Sequence, residues 1–114
     1  MSEAPNIVVA RIEADSDESG PIDLGVYRAH RLEMPAGWTE APITFQVSAT
    51  GEAFVDLYTE EGEYVIETAQ AGRAIILDQE AFYGIRRFKI RSGTADEPVA
   101  QGNLREILVV KAPQ

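Results

Sequence analysis

The chain has no cysteine, a single histidine, a single tryptophan and few basic residues. Each shortage excludes a class of chemistry. Without cysteine there is no disulfide staple, no thiolate nucleophile and no sulfur-ligated metal. With His30 alone, a transition-metal site would rest on carboxylates, and a Ser-His-Asp triad would have to recruit this imidazole from mid-strand. His30 therefore reads as a strand-surface or partly buried side chain, and neither a cofactor nor a metal is expected. No apolar run approaches the roughly 20 residues a membrane-spanning helix needs. Ile7-Val8-Val9-Ala10 is too short for the apolar part of a signal peptide, so synthesis and folding in the cytoplasm, away from membranes, are expected. Bases number 10 against 19 acids, a formal charge of −9. A surface that acidic repels phosphate backbones, which argues against a nucleic-acid partner.

What the chain does have is a succession of short extended segments. Met34-Pro35-Ala36-Gly37-Trp38-Thr39-Glu40-Ala41-Pro42 is a Pro/Gly-punctuated turn that feeds Ile43-Thr44-Phe45-Gln46-Val47-Ser48. Alternation there puts Ile43, Phe45 and Val47 on one face of a half-buried strand and Thr44, Gln46 and Ser48 on the other. Further strands are expected over 7–13, 22–34 (as one extended region), 53–59, 63–68, 73–78, 85–91 and 104–111. Glu60-Glu61-Gly62 reads as a hairpin connection. Residues 78–84 read as one helical turn, capped by Asp78 and terminated by Gly84. About eight strands at roughly ten-residue spacing predict an all-β fold, a single antiparallel β-sandwich domain over 1–114.

Few residues offer chemistry. The acidic run Asp15, Asp17, Glu18 lacks the closing bidentate Glu of a calcium loop and reads as a solvated, mobile loop. Trp38 is a possible ligand platform, since an exposed indole near a loop can stack on a sugar. The competing account has it capping the open end of the core and anchoring its own turn. Arg86, Arg87, Lys89 and Arg91 hold four of the ten bases within six residues, and alternation aligns Arg87, Lys89 and Arg91 on one face. Such a stripe either pairs with this chain's own carboxylates or meets a charge-complementary partner. Residues 1–20 form a possible N-terminal arm. Its Ile7, Val8 and Val9 belong either to a plain first strand or to a strand added to a neighbour's sheet.

The run MPAGWTEAPITFQVSATGEAFVDLYTEEGEYV, then RAIILDQEAFYGIRRFKIRSGTADEPVAQ and the closing LREILVV, resembles a family of small proteins of tailed bacteriophages and prophages of alphaproteobacteria. The likeness covers about residues 24–110. Ala49-Thr50-Gly51 stands where Asp-Gly is common in that family, an ordinary turn variation. ITFQVSATGEAFVDLY is also similar to the sheet of discoidin-type jelly rolls, which implies a jelly-roll-like sandwich but transfers no ligand. The resemblance implies a non-enzymatic virion component on the capsid surface. The expected role is a decoration (cement) protein that stabilises the major capsid protein shell, as a homo-oligomer with a trimer favoured. Partner contacts would then fall to Ile7, Val8, Val9, Arg86, Arg87, Lys89 and Arg91. Charge reversal at Arg87 and Arg91 would weaken attachment without unfolding the domain. The alternative is a tail- or fibre-associated carbohydrate-binding module built on Trp38.

Overall fold

The described residues, 6–114, of a computed structural model contain ten strands and one helical turn. Eight of the strands form two four-stranded antiparallel sheets. The first holds β1 (Ile7–Ile12), β10 (Arg105–Pro113), β3 (Tyr27–Glu33) and β8 (Ala74–Ile76), in that order. The second holds β2 (Ile22–Asp23), β9 (Arg87–Ser92), β4 (Ile43–Ser48) and β5 (Val55–Asp56), in that order. Strands β6 (Tyr58–Thr59) and β7 (Gly62–Glu63) make a separate hairpin around Glu60-Glu61. Set that hairpin aside and the pairs β1–β10, β2–β9, β3–β8 and β4–β5 are those of one long hairpin. Its rolling up adds β10–β3 and β9–β4. This is the jelly-roll order, and the fold is the expected all-β sandwich.

Alternation decides which side chains the sheets bury between them. Ala10, Ile12, Ala29, Leu32, Ile75, Ile107 and Val109 face inward from the first sheet, and Ile22, Ile43, Phe45, Phe88 and Ile90 from the second. Each large side chain buried this way contributes on the order of 1.5–3 kcal/mol. One end of the sandwich is plugged by α1 (Gln79–Phe82). Asp78 caps it by accepting from the Glu80 and Ala81 N–H groups at 3.0 and 3.2 Å, and Gly84 follows with φ +86°. The turn lowers Phe82 among Phe45, Tyr64 and Phe88, with ring centroids 5.0–6.2 Å apart.

Four features depart from expectation. The strands expected over 53–59 and 63–68 are broken: the first is divided between β5 of the second sheet and β6 of the separate hairpin, and of the second only Glu63, in β7, and an isolated bridge from Ile66 to Ile43 are paired. Residues 22–34 are not one extended region: Asp23 accepts from the Gly25 N–H at 2.8 Å, Gly25 sits at φ +64°, and the turn sends β2 and β3 to different sheets. In β3 the pairing slips by one residue, Ala29 and Arg31 facing the adjacent Lys111 and Val110. His30 is the extra residue of a β-bulge, which is why Ala29 and Leu32, three apart, both point into the core. The loop over 15–21 is pinned rather than mobile. The Asp15 N–H donates to the Gln101 carbonyl at 2.7 Å, the Ser92 N–H to Asp17 at 2.7 Å, and the Ser19 N–H to Ile90 at 2.8 Å.

Candidate functional site

The outer face of the first sheet is the surface most unlike the rest of this acidic molecule. Residues directly opposite in an antiparallel pair share a face, so register alone builds it. One row runs Ile7, Val110, Arg31, Ile76 across the four strands, and the next runs Val9, Leu108, Glu33, Ala74. Arg11 and Glu106 begin a third. Ile7 and Val9 are exposed, Leu108 and Val110 half-buried, and Ile76 is 72% exposed at the far edge. The four charges cancel in pairs: Arg11 donates to Glu106 at 2.6 Å and Arg31 to Glu33 at 3.0 Å. Six apolar side chains therefore sit in two rows whose charges cancel, with Arg28 further along β3, in a chain of formal charge −9. At β-sheet spacings, the two apolar rows cover on the order of 250–300 Å², the centre of a protein interface rather than its whole footprint.

Strand β1 also forms the edge of that sheet. It runs six residues without proline or bulge, and its one charge, Arg11, is already paired. Edge strands are commonly blunted by such features, and this one is not. Residues 7–12 thus belong to this chain's own sheet, with Val8 turned inward while Ile7 and Val9 face out. Residues 1–5 of the expected arm lie outside the described residues.

The basic segment lies on the opposite face of the sandwich, so the two groups of expected contact residues are not brought together. Its charges are met within the chain. Arg86 donates to Asp23 at 2.8 Å, and Arg87 lies 3.5 Å from the other Asp23 oxygen and donates to the Ala49 carbonyl. The Arg86 hydrogen bond, then that of the Gly25 N–H, hold the Asp23 carboxyl below its usual range, and Asp23 in turn raises Arg86. Lys89 is 3.4 Å from Glu18 and lies over the Phe54 ring.

Arg91 is a different case. Its side chain is only 8% exposed, and its Nη2 lies 2.9 Å from both Glu63 and Asp56. The hydrogen bond goes to Glu63. The Asp56 Oδ1 contact is close but misaligned, leaving that oxygen without a hydrogen-bond partner and the attraction Coulombic. Arg91 Nε donates to Thr44 Oγ1 at 2.9 Å, and Glu63 also accepts from the Ala95 N–H. Arg91 thus joins β9 to β4 and to the excursion that carries β6 and β7. The expectation that its charge could be reversed in a folded domain fails on this burial.

Trp38 is no platform. It is 6% exposed, and its indole N–H donates to the Ala41 carbonyl at 3.2 Å, closing its own turn. Gln101 is a buried residue that the sequence reading passed over. Its Oε1 accepts from the Thr39 N–H and Arg105 Nε, while its Nε2 donates to the Thr39 carbonyl and Ser92 Oγ. One amide so ties together the loops at the end of the sandwich away from α1. Among the described residues no group of three or more His, Asp or Glu is placed to hold a metal, and no helix is long and apolar enough to cross a membrane. No family model, curated protein or solved structure matches this chain.

Proposed function

We propose that this protein is a non-enzymatic assembly module that seats the outer face of its first sheet on a larger protein shell. The shell we assign is a phage capsid, on which the protein acts as a decoration protein, as the resemblance in sequence implies. The observation that carries this reading is the charge-neutral apolar face formed by Ile7, Val9, Leu108, Val110, Ala74 and Ile76. Copies of formal charge −9 repel one another through most of their surface. A neutral, flat patch is where such a molecule approaches a broad protein surface without paying for stripped charges. The half-buried Leu108 and Val110 keep the patch shallow, suited to a sheet or helix face rather than to a small ligand. The basic segment, matched by its own carboxylates, supports the fold in this reading and is not the primary contact. The glycan module built on Trp38 loses its support with the indole buried.

The test is co-sedimentation of the purified full chain with capsids lacking it, joined to mass spectrometry of complete particles. A fixed ratio to the major capsid protein is expected, near one or a regular fraction of it. Val9→Glu places an unpaired charge in one of the two apolar rows at an exposed position and should weaken binding at least about tenfold, with melting unchanged. Binding that survives Val9→Glu removes the face from the reading. Absence of the protein from particles removes the virion.

A further inference from the structure

We propose that β1 pairs edge to edge with β1 of a second copy of this chain, so that two molecules share one continuous eight-stranded sheet. The inference does not depend on the docking role of the sheet's outer face.

The open edge follows from the ladder to β10. The Lys111 N–H donates to the Asn6 carbonyl at 2.6 Å, and from there the register runs from Ile7 opposite Val110 to Ile12 opposite Arg105. Backbone groups of successive residues in an antiparallel strand turn to alternate sides. Val8, Ala10 and Ile12 therefore bond to β10, while Ile7, Val9 and Arg11 aim their N–H and C=O groups away from it. Among the described residues none of these three donors and three acceptors has a backbone partner, and all three residues are exposed. Beside them lies an open depression of about 550 Å³, walled by Val9, Arg11 and Glu13 on one side and by residues 18–22 on the other.

Donors and acceptors that recur at every second residue, about 6.6–6.8 Å apart, fit an extended backbone rather than a small ligand. The chain supplies that backbone itself. In an antiparallel pair with its two-fold axis at Val9, Ile7 faces the partner's Arg11, Val9 faces the partner's Val9, and Arg11 faces the partner's Ile7. Every open group of both strands is then bonded. A shift of two residues either way carries Ile7 or Arg11 past the end of the partner's strand. The neighbours suit one another: valine packs on valine, and the arginine stem lies along isoleucine while its charge stays with Glu106. Strand β1 contains no acid, so this edge lets two copies of a chain of formal charge −9 meet without opposing carboxylates in the paired strands.

The other border strands are too short to take this place: β8 runs three residues, β2 and β5 two each. Self-pairing of β1 also closes at two copies, a dimer in place of the trimer that the sequence resemblance favoured. An edge about 20 Å long and two sheets deep buries on the order of 800 Å² in total, the size of a weak, reversible contact, with Kd on the order of 10–100 µM.

The experiment is sedimentation velocity of the full chain from about 5 µM to about 1 mM, joined to amide hydrogen exchange at both ends of that range. The 12.5 kDa monomer should give way to a dimer. The Ile7, Val9 and Arg11 amides should exchange about fivefold or more slowly at the high concentration, with Val8 and Ala10 protected throughout. Val9→Pro and Ile7→Pro each delete an outward N–H, take no bond from the ladder to β10, and put a ring against the incoming strand. Each should weaken dimerisation at least about tenfold, with the monomer still folded by circular dichroism. Should either variant fail to fold, the exchange pattern of the unaltered chain decides. Ile76→Glu, on the same outer face but at the far border of the sheet, should leave dimerisation unchanged, so loss of docking reads separately. The proposal is overturned if the chain stays monomeric up to about 1 mM, if the assembly is a trimer, or if the slowed amides lie elsewhere. A dimer that survives both proline variants, or one lost in Ile76→Glu, also overturns it.

Discussion

Arg91→Met keeps a long stem in place and removes the guanidinium, so it isolates what the buried charge contributes. In the folded protein Glu63 and Asp56 would then face each other across the vacated space, with Glu63 largely shielded from water. Deleting one partner of a buried ion pair typically costs about 3–5 kcal/mol, because the other charge stays desolvated. Asp56 is about one-third exposed and is rehydrated in part, which brings the figure to the low end. The lost Arg91–Thr44 hydrogen bond adds about 1 kcal/mol, although Thr44 Oγ1 keeps its bond to the Gly93 carbonyl. A net loss of about 3–4 kcal/mol follows, which for a domain of this size lowers Tm by on the order of 10–20 °C. Urea unfolding, with the slope compared between proteins, gives the free energy, and calorimetry gives Tm. Arg87→Met is the control, its partners lying nearer the surface, and should lose no more than about 1 kcal/mol. In the Arg91→Met/Glu63→Gln double variant the loss should be smaller than the two single losses combined. Should Arg91→Met lose less than about 1 kcal/mol, or no more than Arg87→Met, the buried cluster is not a structural tie and the reasoning fails.

Gly93→Ala should be among the most damaging single-methyl changes: φ is +92°, and the added Cβ would meet the Val99 N at 2.6 Å and the Glu97 carbonyl. A loss above about 3 kcal/mol is expected, read as low soluble yield or a strongly lowered Tm. Asp78→Ala removes the cap of α1 and should cost about 1 kcal/mol in urea unfolding, the aromatic plug holding the turn in place. Burial pushes the Tyr64 hydroxyl above its ordinary value of 10.0. The unfolded chain then releases this proton first, so stability should fall as pH rises through 10 and beyond. Tyr64→Phe should flatten that alkaline slope, and an unchanged slope would place its cause elsewhere.

The parts of this fold that could be read from sequence are those set by near neighbours. The two faces of β4, the turn from Asp78 to Gly84 and the hairpin at Glu60-Glu61 each depend on residues within one short window, and each stands where alternation and capping put it. What depended on distant partners was hidden. The bulge at His30 is a property of the β3–β10 pairing, and nothing in Ala29-His30-Arg31 signals it. Gln101 looks like a loop residue until the loops at 15–17 and 39 close over it. The acids that neutralise Arg86, Arg87, Lys89 and Arg91 come from 28 to 71 positions away, so alternation displayed the stripe without its counterions. The docking face was half visible. Alternation presents Ile7 and Val9, while Leu108 and Val110 join them only through the register of β1 on β10.

Strand order also has a consequence for how the protein comes into being. The last of the ten strands in this sequence, β10, lies in the middle of its sheet, between β1 and β3. Until residues 105–113 emerge from the ribosome, neither neighbour can make its backbone ladder to β10, and the core lacks Ile107 and Val109. Folding of this half therefore cannot be completed before β10 is made. It waits on a contact spanning nearly the whole chain, which slows it and prolongs the exposure of unpaired strands. Nascent chains crowded on a polysome would be at risk of pairing β1 or β3 with β10 of another copy, and the strong acidity of the chain, by keeping copies apart, guards that interval.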